Sequence, residues 1–398
     1  EDDDEEIYRL ELMYKFVRSL DSLCISKNYS TPLTIKEKKF YSNLNSNIYV
    51  ECKKILDGIN DDTLFNYETD GLIFTPSDKS VGSDVSNKLT APRKITWNYS
   101  LKWKPSKFNT IDFLITTLKD ESKNDVISNL YQDGINLGSS SQIKQYKTII
   151  LRVGFDENKH GFVNPLQDVI DENFPQTIYG DTRSEYKPMP FIPYDPSPNF
   201  PIYKCNILLD NQGDSKYMLT EDKKQIFEDN TIVEFKFIKT NNKYWQWVPI
   251  RVRHDKTADY RKGNRNFGNA YHVAESVWRS IHNPITEKMI TTGLDIPDVV
   301  DENVYYNRTS NKTFTRGLRD FHNKYVKRKL ITDVSKRGDT LIDMTVGKAG
   351  DLSKWIDAKL SFVFGVDVSK DNIENRIDGA CARYLKMHKK YSSLPRAL

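Results

Sequence analysis

The pattern of apolar and polar positions changes character several times along the chain. Leu10, Leu12, Met13, Phe16, Val17 and Leu20 recur at helical spacing behind an acidic start at Glu1 to Glu6, with Arg9, Lys15 and Arg18 on the polar side. A second helix is predicted over 48–56. Residues 71–76 then read as a short strand stopped by Pro76, 94–105 as a strand rich in Trp, Tyr and Lys, and 110–115 as a third strand of the same sheet. The polar stretch 120–145, with Gly138 and three serines, reads as a boundary. Four β-rich runs come next, at 146–155, 203–209, 232–238 and 244–252, which suits a small barrel. Residues 188–201 carry too much proline for a central strand and read as a long loop. The pattern is helical over 260–292 and again, with a strongly basic face, over 318–331. Strand 340–344, a Gly-containing turn, helix 352–356 and strand 362–368 then form a Rossmann-like beginning.

Composition narrows the class without naming a ligand. At 38% hydrophobic and 29% charged over 398 residues the chain is globular and long enough for two or three domains. A net charge of +4 neither demands nor excludes a nucleic-acid partner. The four cysteines are far apart, and the six histidines form no ligand cluster, so no zinc site is expected. No apolar run approaches a membrane span, and no membrane partner is expected. The sequence begins at Glu1 and stops shortly after a βα unit, so the expectation is an internal piece of a longer protein.

Three segments carry possible chemistry in the first two thirds. Thr69-Asp70-Gly71-Leu72-Ile73-Phe74 ends a polar turn in a strand, and Leu101-Lys102-Trp103-Lys104-Pro105 sets two lysines two apart, on one side of a strand with Trp103 on the other. Such a pair is either a solvated face or a place to neutralise phosphates, and Asp70 could hold a divalent metal or orient an attacking group. The run from Trp247 to Lys256 alternates Arg251, Arg253 and Asp255 along an expected strand face, followed by Lys256; alone it reads equally as an exposed salt-bridge ladder. Near the end, 343–355 place glycines between strand and helix, and Asp367 ends the next strand where a ribose diol could be held. The GxGxxG spacing of a dinucleotide site is not met.

In this order the DGLIFTP, LKWKP and RxRxDK segments resemble motifs IV, V and VI of the covalent nucleotidyltransferases, on the GTP:RNA guanylyltransferase branch, and Asn109-Thr110-Ile111-Asp112-Phe113 resembles the segment just after motif V in that branch. The later segment resembles the DxGxGKGGDLxKW signature of mRNA cap guanine-N7 methyltransferases, and Phe321-His322-Asn323-Lys324-Tyr325-Val326-Lys327 resembles their FNNWxK helix. Together the two are similar to the multifunctional mRNA-capping enzymes of large nucleocytoplasmic, giant-virus-like DNA viruses.

The resemblance implies an α/β multidomain chain. Its parts would be the rear of an ATP-grasp-like nucleotidyltransferase domain (1–118), an OB-fold barrel (119–258), a helical linker (259–300), and the start of a Rossmann-like SAM-dependent methyltransferase (301–398). It implies GTP, Mg or Mn, and S-adenosylmethionine as ligands, the 5′ end of mRNA and viral transcription machinery as partners, and a host-cytoplasmic viral factory or the virion as the setting. It gives Asp70 to the metal-assisted chemistry, Lys102 and Lys104 to the α-phosphate, and Arg251, Arg253, Asp255 and Lys256 to the departing pyrophosphate. It gives Lys327, Gly347, Asp351 and Asp367 to S-adenosylmethionine, and Asn323 and Lys348 to the cap. The family's KxDG nucleophile does not occur; Lys54 to Gly58 has one residue too many, so the nucleophile is expected upstream. Thr345, Val346 and Ala349 stand where the methyltransferases usually have Gly, Cys and Gly. A ligase fused to a methyltransferase, or a scaffold that keeps the folds without the ligands, would share most of these features.

Overall fold

The computed structural model describes residues 9–19, 35, 38–42, 46–61, 67–77, 79, 97, 99–131, 143–175, 186–212, 215–297, 315–391 and 394–397. The acidic start and all of 80–96, with the first residues of the expected 94–105 strand, lie outside the described residues, as does the Gly138 turn. The chain divides into two compact units, Glu1–Leu72 with Thr286–Ile296, and Ile73–Ile285 with Pro297–Leu398.

The smaller unit is helical. Asn47 caps the helix Ile48–Asn60 by accepting the Tyr49 N–H at 3.0 Å, and Cys52 and Leu56, four apart, bury its inner face. The short helix Glu287–Thr292 packs against it and ends at Gly293, whose φ of +71° and closeness to the Tyr49 ring leave no room for a Cβ. Lys54, in the run that mimics KxDG, is an exposed helical residue paired with Glu51 at 2.7 Å.

The larger unit is built on a nine-stranded antiparallel sheet curved into a nearly closed, barrel-like form. Its order is Trp247–Val252, Thr231–Phe237, Thr110–Thr117, Ile143–Phe155, Lys204–Gln212, Ser215–Leu219, Ile226–Phe227. Ile143–Phe155 is long enough to take a second partner on each edge, Ile127–Tyr131 and Lys187–Pro190.

Two expectations change here. Thr110–Thr117, read as part of a first sheet, lies at the centre of the barrel sheet: Ile111, Phe113 and Ile115 face its main core while Leu114 packs with Ile232 and Phe267 on the other side. Burial on both faces removes the alternation that would have marked it as a barrel strand. The proline-rich stretch is not all loop, because Lys187–Pro190 pairs with Ile143–Phe155. Pro188 and Pro190 lack N–H groups, which suits a short edge strand paired on one side.

The helix Tyr271–His282 closes the barrel. Its Trp278 is 2% exposed among Phe191, Phe237 and Trp247, with its indole N–H donated to Pro196 O at 2.9 Å. The same unit holds a parallel three-stranded sheet, with Phe362–Gly365 between Thr340–Asp343 and Arg396–Ala397. Helix Leu352–Asp357 connects the first pair, and Lys370–Glu374 and Ala380–His388 connect the second.

Candidate functional site

The motif segments occupy short elements. In Leu101–Trp103 the indole of Trp103 is buried and donates to Ile285 O at 2.7 Å, while Lys102 lies exposed and Lys104 half-buried just past the strand end. The strand does not alternate cleanly, because Leu101, on the same face as Trp103, is exposed, and Lys104 follows the strand rather than sharing a face with Lys102 within it. Asp70 is an exposed residue of the smaller unit, ahead of the strand Leu72–Phe74. Among the described residues no three His, Cys, Asp or Glu side chains gather as a metal cage. A single exposed carboxylate such as Asp70 fits a Mg ion held mainly by substrate phosphates.

The third motif departs from its expected form. The strand ends at Val252, and the chain turns at Arg253 into the helix His254–Arg261. Arg253 N–H makes a last ladder-like bond to Ile232 O at 2.8 Å, and Thr257 N–H then donates to Arg253 O at 2.8 Å. The basic side chains consequently do not share one strand face. Arg251 pairs with Glu234 on the neighbouring strand, its Nε donating at 3.0 Å. Arg253 and Lys256 converge instead on Asp112, at 2.5 and 2.6 Å. Asp255, in the first turn of the helix where an anion is favoured, adds a contact to Arg253 at 3.3 Å. Burial works against the charge on Arg253, but the Asp112 and Asp255 carboxylates more than offset it and hold the guanidinium firmly protonated.

Asp112 is the residue that sequence reasoning passed over. It is 5% exposed on the central strand Thr110–Thr117, flanked by Ile111 and Phe113. A carboxylate inside so apolar a run is itself a signal, because a buried charge needs partners. Those partners lie more than a hundred residues further along the chain, so their identity was not readable.

The second group forms around the turn after Thr340–Asp343. Val366 N–H donates to Asp343 O at 2.8 Å and Val346 N–H to Val366 O at 3.0 Å, pulling the turn against the end of the neighbouring strand. A Cβ on Gly365 would lie 2.9 Å from the Val346 side chain, so bare backbone is required for this approach. Gly347 adopts φ +53° and donates its N–H to Asp367 at 2.8 Å. Asp367 also accepts from Ser369 N–H at 2.9 Å and the Asn372 amide at 3.0 Å; burial alone would raise its pKa, and these bonds hold it below the usual range. Ala349 has φ +52°, a left-handed conformation that explains glycine as the usual residue in the similar signature. Thr345 is exposed, with its N–H donated to the Asp343 carboxylate at 3.1 Å.

Lys327 reaches Asp351 from the preceding helix at 3.1 Å, and the buried Lys354 reaches the same carboxylate at 2.5 Å. Burial opposes ionisation of Asp351, but Lys354 and Lys327 keep its pKa low. Lys348 lies between Asp378 at 2.8 Å and Asp371 at 3.4 Å. The structure thus brings Gly347, Lys348, Asp351, Asp367 and Lys327 to one turn, with Asn323 one helical turn before Lys327. The residues His322–Lys327 form a π turn between the α-helical pieces Arg316–Phe321 and Arg328–Val334. The run from Phe321 to Lys327 is one residue longer than the FNNWxK pattern, and a π turn is how a helix absorbs one extra residue.

The barrel half carries a cation pair held by one buried carboxylate, and the parallel half carries a glycine turn bound to a carboxylate just past the end of the neighbouring strand. In sequence the chain is similar to viral mRNA-capping enzymes. It is 29% identical over 390 residues to a probable mRNA-capping enzyme of Acanthamoeba polyphaga mimivirus, covering 92% of this chain and 29% of that protein. It is 23% identical over 270 residues to the mRNA-capping enzyme of African swine fever virus, covering 67% of this chain and 26% of the relative. A stretch of 53 residues is 38% identical to mRNA cap guanine-N(7) methyltransferase 1 of rice, 13% of this chain and 14% of that one. No family model matches. The chain spans less than a third of the length of the viral relatives.

Proposed function

We propose that this chain is the section of a viral mRNA-capping enzyme that joins the rear of its guanylyltransferase to the front of its guanine-N7 methyltransferase. The observation that carries the reading is continuity: one capping enzyme aligns across 92% of the chain, spanning both clusters of functional side chains. The sequence boundaries remain the proposed divisions, with Thr110–Thr117 transferred from the nucleotidyltransferase part to an OB-type barrel.

In this reading the substrate of the first half is GTP with a divalent Mg or Mn ion, and Asp70 supplies one ligand to that ion. Lys102 and Lys104 neutralise the α-phosphate as it is transferred. Arg253 and Lys256 are held in readiness by Asp112, and the polyphosphate competes with that carboxylate for them when the barrel closes. Arg251 and Asp255 orient the same leaving pyrophosphate. The acceptor is the diphosphate 5′ end of an mRNA, and the reaction is placed in a cytoplasmic viral factory or the virion, beside the viral transcription machinery.

In the second half, S-adenosylmethionine supplies an electrophilic methyl group when bound. Asp367 fits a ribose diol, the Gly347 turn fits close backbone approach, and Lys327 with Asp351 fixes the edge of the site. Asn323 and Lys348 face the cap. N7 of the guanine is already nucleophilic, so the protein contributes position rather than a proton acceptor.

The test incubates the full-length parent with α-labelled GTP and Mg, beside its Lys102→Ala variant, and follows denaturation-resistant label. Label on the parent and none on the variant supports the first half, while an unlabelled parent overturns it. Transfer of a labelled methyl group to guanine-capped RNA, lost in Asp367→Ala, is the parallel test for the second half.

A further inference from the structure

The connection leaving the barrel strand Ile143–Phe155 does not stay with the barrel. Its helix Pro165–Ile170 gives Val169, with Phe162 just before it, to the core formed by Val346, Ala349, Leu352, Trp355 and Leu385. At the crossing, Phe162 N–H donates to Arg376 O at 2.9 Å. Gly161 takes φ +76°, and a Cβ there would sit 1.9 Å from that carbonyl oxygen.

A polar path runs beside this core. Arg376, 8% exposed, sends its guanidinium back to Ile192 O at 2.9 Å and to the Tyr271 hydroxyl. That hydroxyl lies 3.0 Å from Glu275, whose carboxylate accepts the backbone N–H groups of Tyr194 and Asp195 at 3.0 and 2.9 Å. The Tyr194 ring lies 5.5 Å from the Arg376 guanidinium, and its hydroxyl makes a long contact, 3.5 Å, to the Asp371 oxygen that also accepts the Asn375 amide at 2.8 Å. Asp371 is one of the two carboxylates that hold Lys348. A barrel residue is thus two contacts from the lysine of the glycine turn.

We propose that the barrel is a built-in part of the methyl-transfer site, with Tyr194 and Arg376 as positioning residues that fix the helix Lys370–Glu374 and, through Asp371, the placement of Lys348 toward capped RNA. The inference rests on the assignment of Lys348 to the cap under the proposed function. Without the Tyr194 hydroxyl, Asp371 is held, Lys348 apart, by Asn375 alone, so its carboxylate turns more freely and Lys348 leans further toward Asp378 while the fold persists. Substrate binding should suffer before turnover does. The barrel cannot close over a nucleotide without carrying the glycine turn with it, because core and polar path cross together.

The experiment uses the full-length parent and its Tyr194→Phe, Arg376→Met and Arg376→Lys variants. Guanylylation, methyl transfer to guanine-capped RNA and melting temperature are measured on each. Tyr194→Phe should raise the KM for capped RNA about 2- to 10-fold, the range for losing one ordinary hydrogen bond, as suits a contact this long, with kcat, guanylylation and melting temperature unchanged. Arg376→Met should raise that KM further, and Arg376→Lys should recover part of the loss. An unchanged KM in Tyr194→Phe overturns the inference alone, as does a parallel fall in guanylylation and melting temperature. A parent that transfers no methyl group to capped RNA overturns the assignment of the second site, and the inference with it.

Discussion

Replacing Asp112 by Asn tests whether the barrel's cation pair depends on one buried anion. The carboxylate accepts from Arg253 at 2.5 Å and from Lys256 at 2.6 Å. Each charge-assisted bond is worth about 1.5–3 kcal/mol, so the two together set an upper bound of about 3–6 kcal/mol. The cations keep side-chain exposures of 23% and 24%, and water can partly replace the lost anion. Asp255 also stays beside Arg253. The expected loss of stability is therefore about 2–4 kcal/mol, below that of breaking a fully enclosed pair. The substitution isolates the carboxylate, because the Asp112 backbone is held separately: its N–H donates to the Asn269 side chain at 2.7 Å, and its C=O accepts the Asn269 N–H at 2.8 Å.

Urea unfolding of the chain, followed by tryptophan fluorescence, measures the effect, and the midpoint should fall with an unchanged slope. A double-mutant cycle with Arg253→Met separates the pair from general damage to the strand. Coupling above about 1 kcal/mol is expected, since contacting residues in one network do not behave additively. An unmoved midpoint, or additivity within about 0.5 kcal/mol, would mean that the cation pair does not depend on Asp112.

Three further outcomes rest on other buried groups. His160 Nδ1 accepts the Asp156 N–H at 3.0 Å, so the neutral ring carries its proton on Nε2 and presents it to His272 Nδ1 at 3.1 Å; burial, then His272, depresses its pKa below the ordinary 6.5. Its stabilising contribution is thus present above pH 6.5 and lost as pH falls from there through the folded value, and His160→Asn should flatten the unfolding midpoint between about pH 5 and 7 relative to the parent. Gly161→Ala places a methyl group against Arg376 O in a left-handed conformation, and calorimetry should show a loss of at least about 2 kcal/mol. Asp351→Asn strips the buried Lys354 of its carboxylate at 2.5 Å and should cost about 3 kcal/mol by urea unfolding; an unchanged midpoint would mean that Lys354 is hydrated.

The sequence made some of these features legible and hid others for physical reasons. Trp103 between two lysines reported a single buried position, because an indole flanked by charges is the side chain there that gains most by leaving water; the exposure of Leu101 on the same face was not legible. The Gly347 turn and Asp367 were legible because glycine positions and a strand-end carboxylate are local features. Thr110–Thr117 was placed in the wrong sheet because burial on both faces erases periodicity, and the polar hairpin after it resembles a boundary. Arg251, Arg253 and Asp255 alternate as on a strand, yet the backbone turns helical at His254, so alternation alone misplaced the last two. Arg376 carried no signal at all, since its partners Ile192 and Tyr271 are distant in sequence and neither belongs to a motif.

The same pairing recurs in both halves and bears on the modest net charge of +4. Arg253 and Lys256 rest on Asp112, Lys327 and Lys354 on Asp351, and Lys348 between Asp371 and Asp378. Cations held this way do not present a free field to distant polyanions, so RNA would not be drawn in by a basic surface at these points. Under the proposed function, affinity for phosphate would be an exchange, in which the incoming anion must outcompete a carboxylate already in place. The exchange favours a ligand that delivers several phosphate oxygens in a fixed geometry over a diffuse backbone, because only the former replaces two charge-assisted bonds at once. Removing a carboxylate such as Asp371 should therefore strengthen nonspecific RNA binding and steepen its salt dependence even as it disorders the lysine it held. A surface built for simple attraction would show the opposite order, with the carboxylate variants indifferent to salt and the lysine variants alone affected.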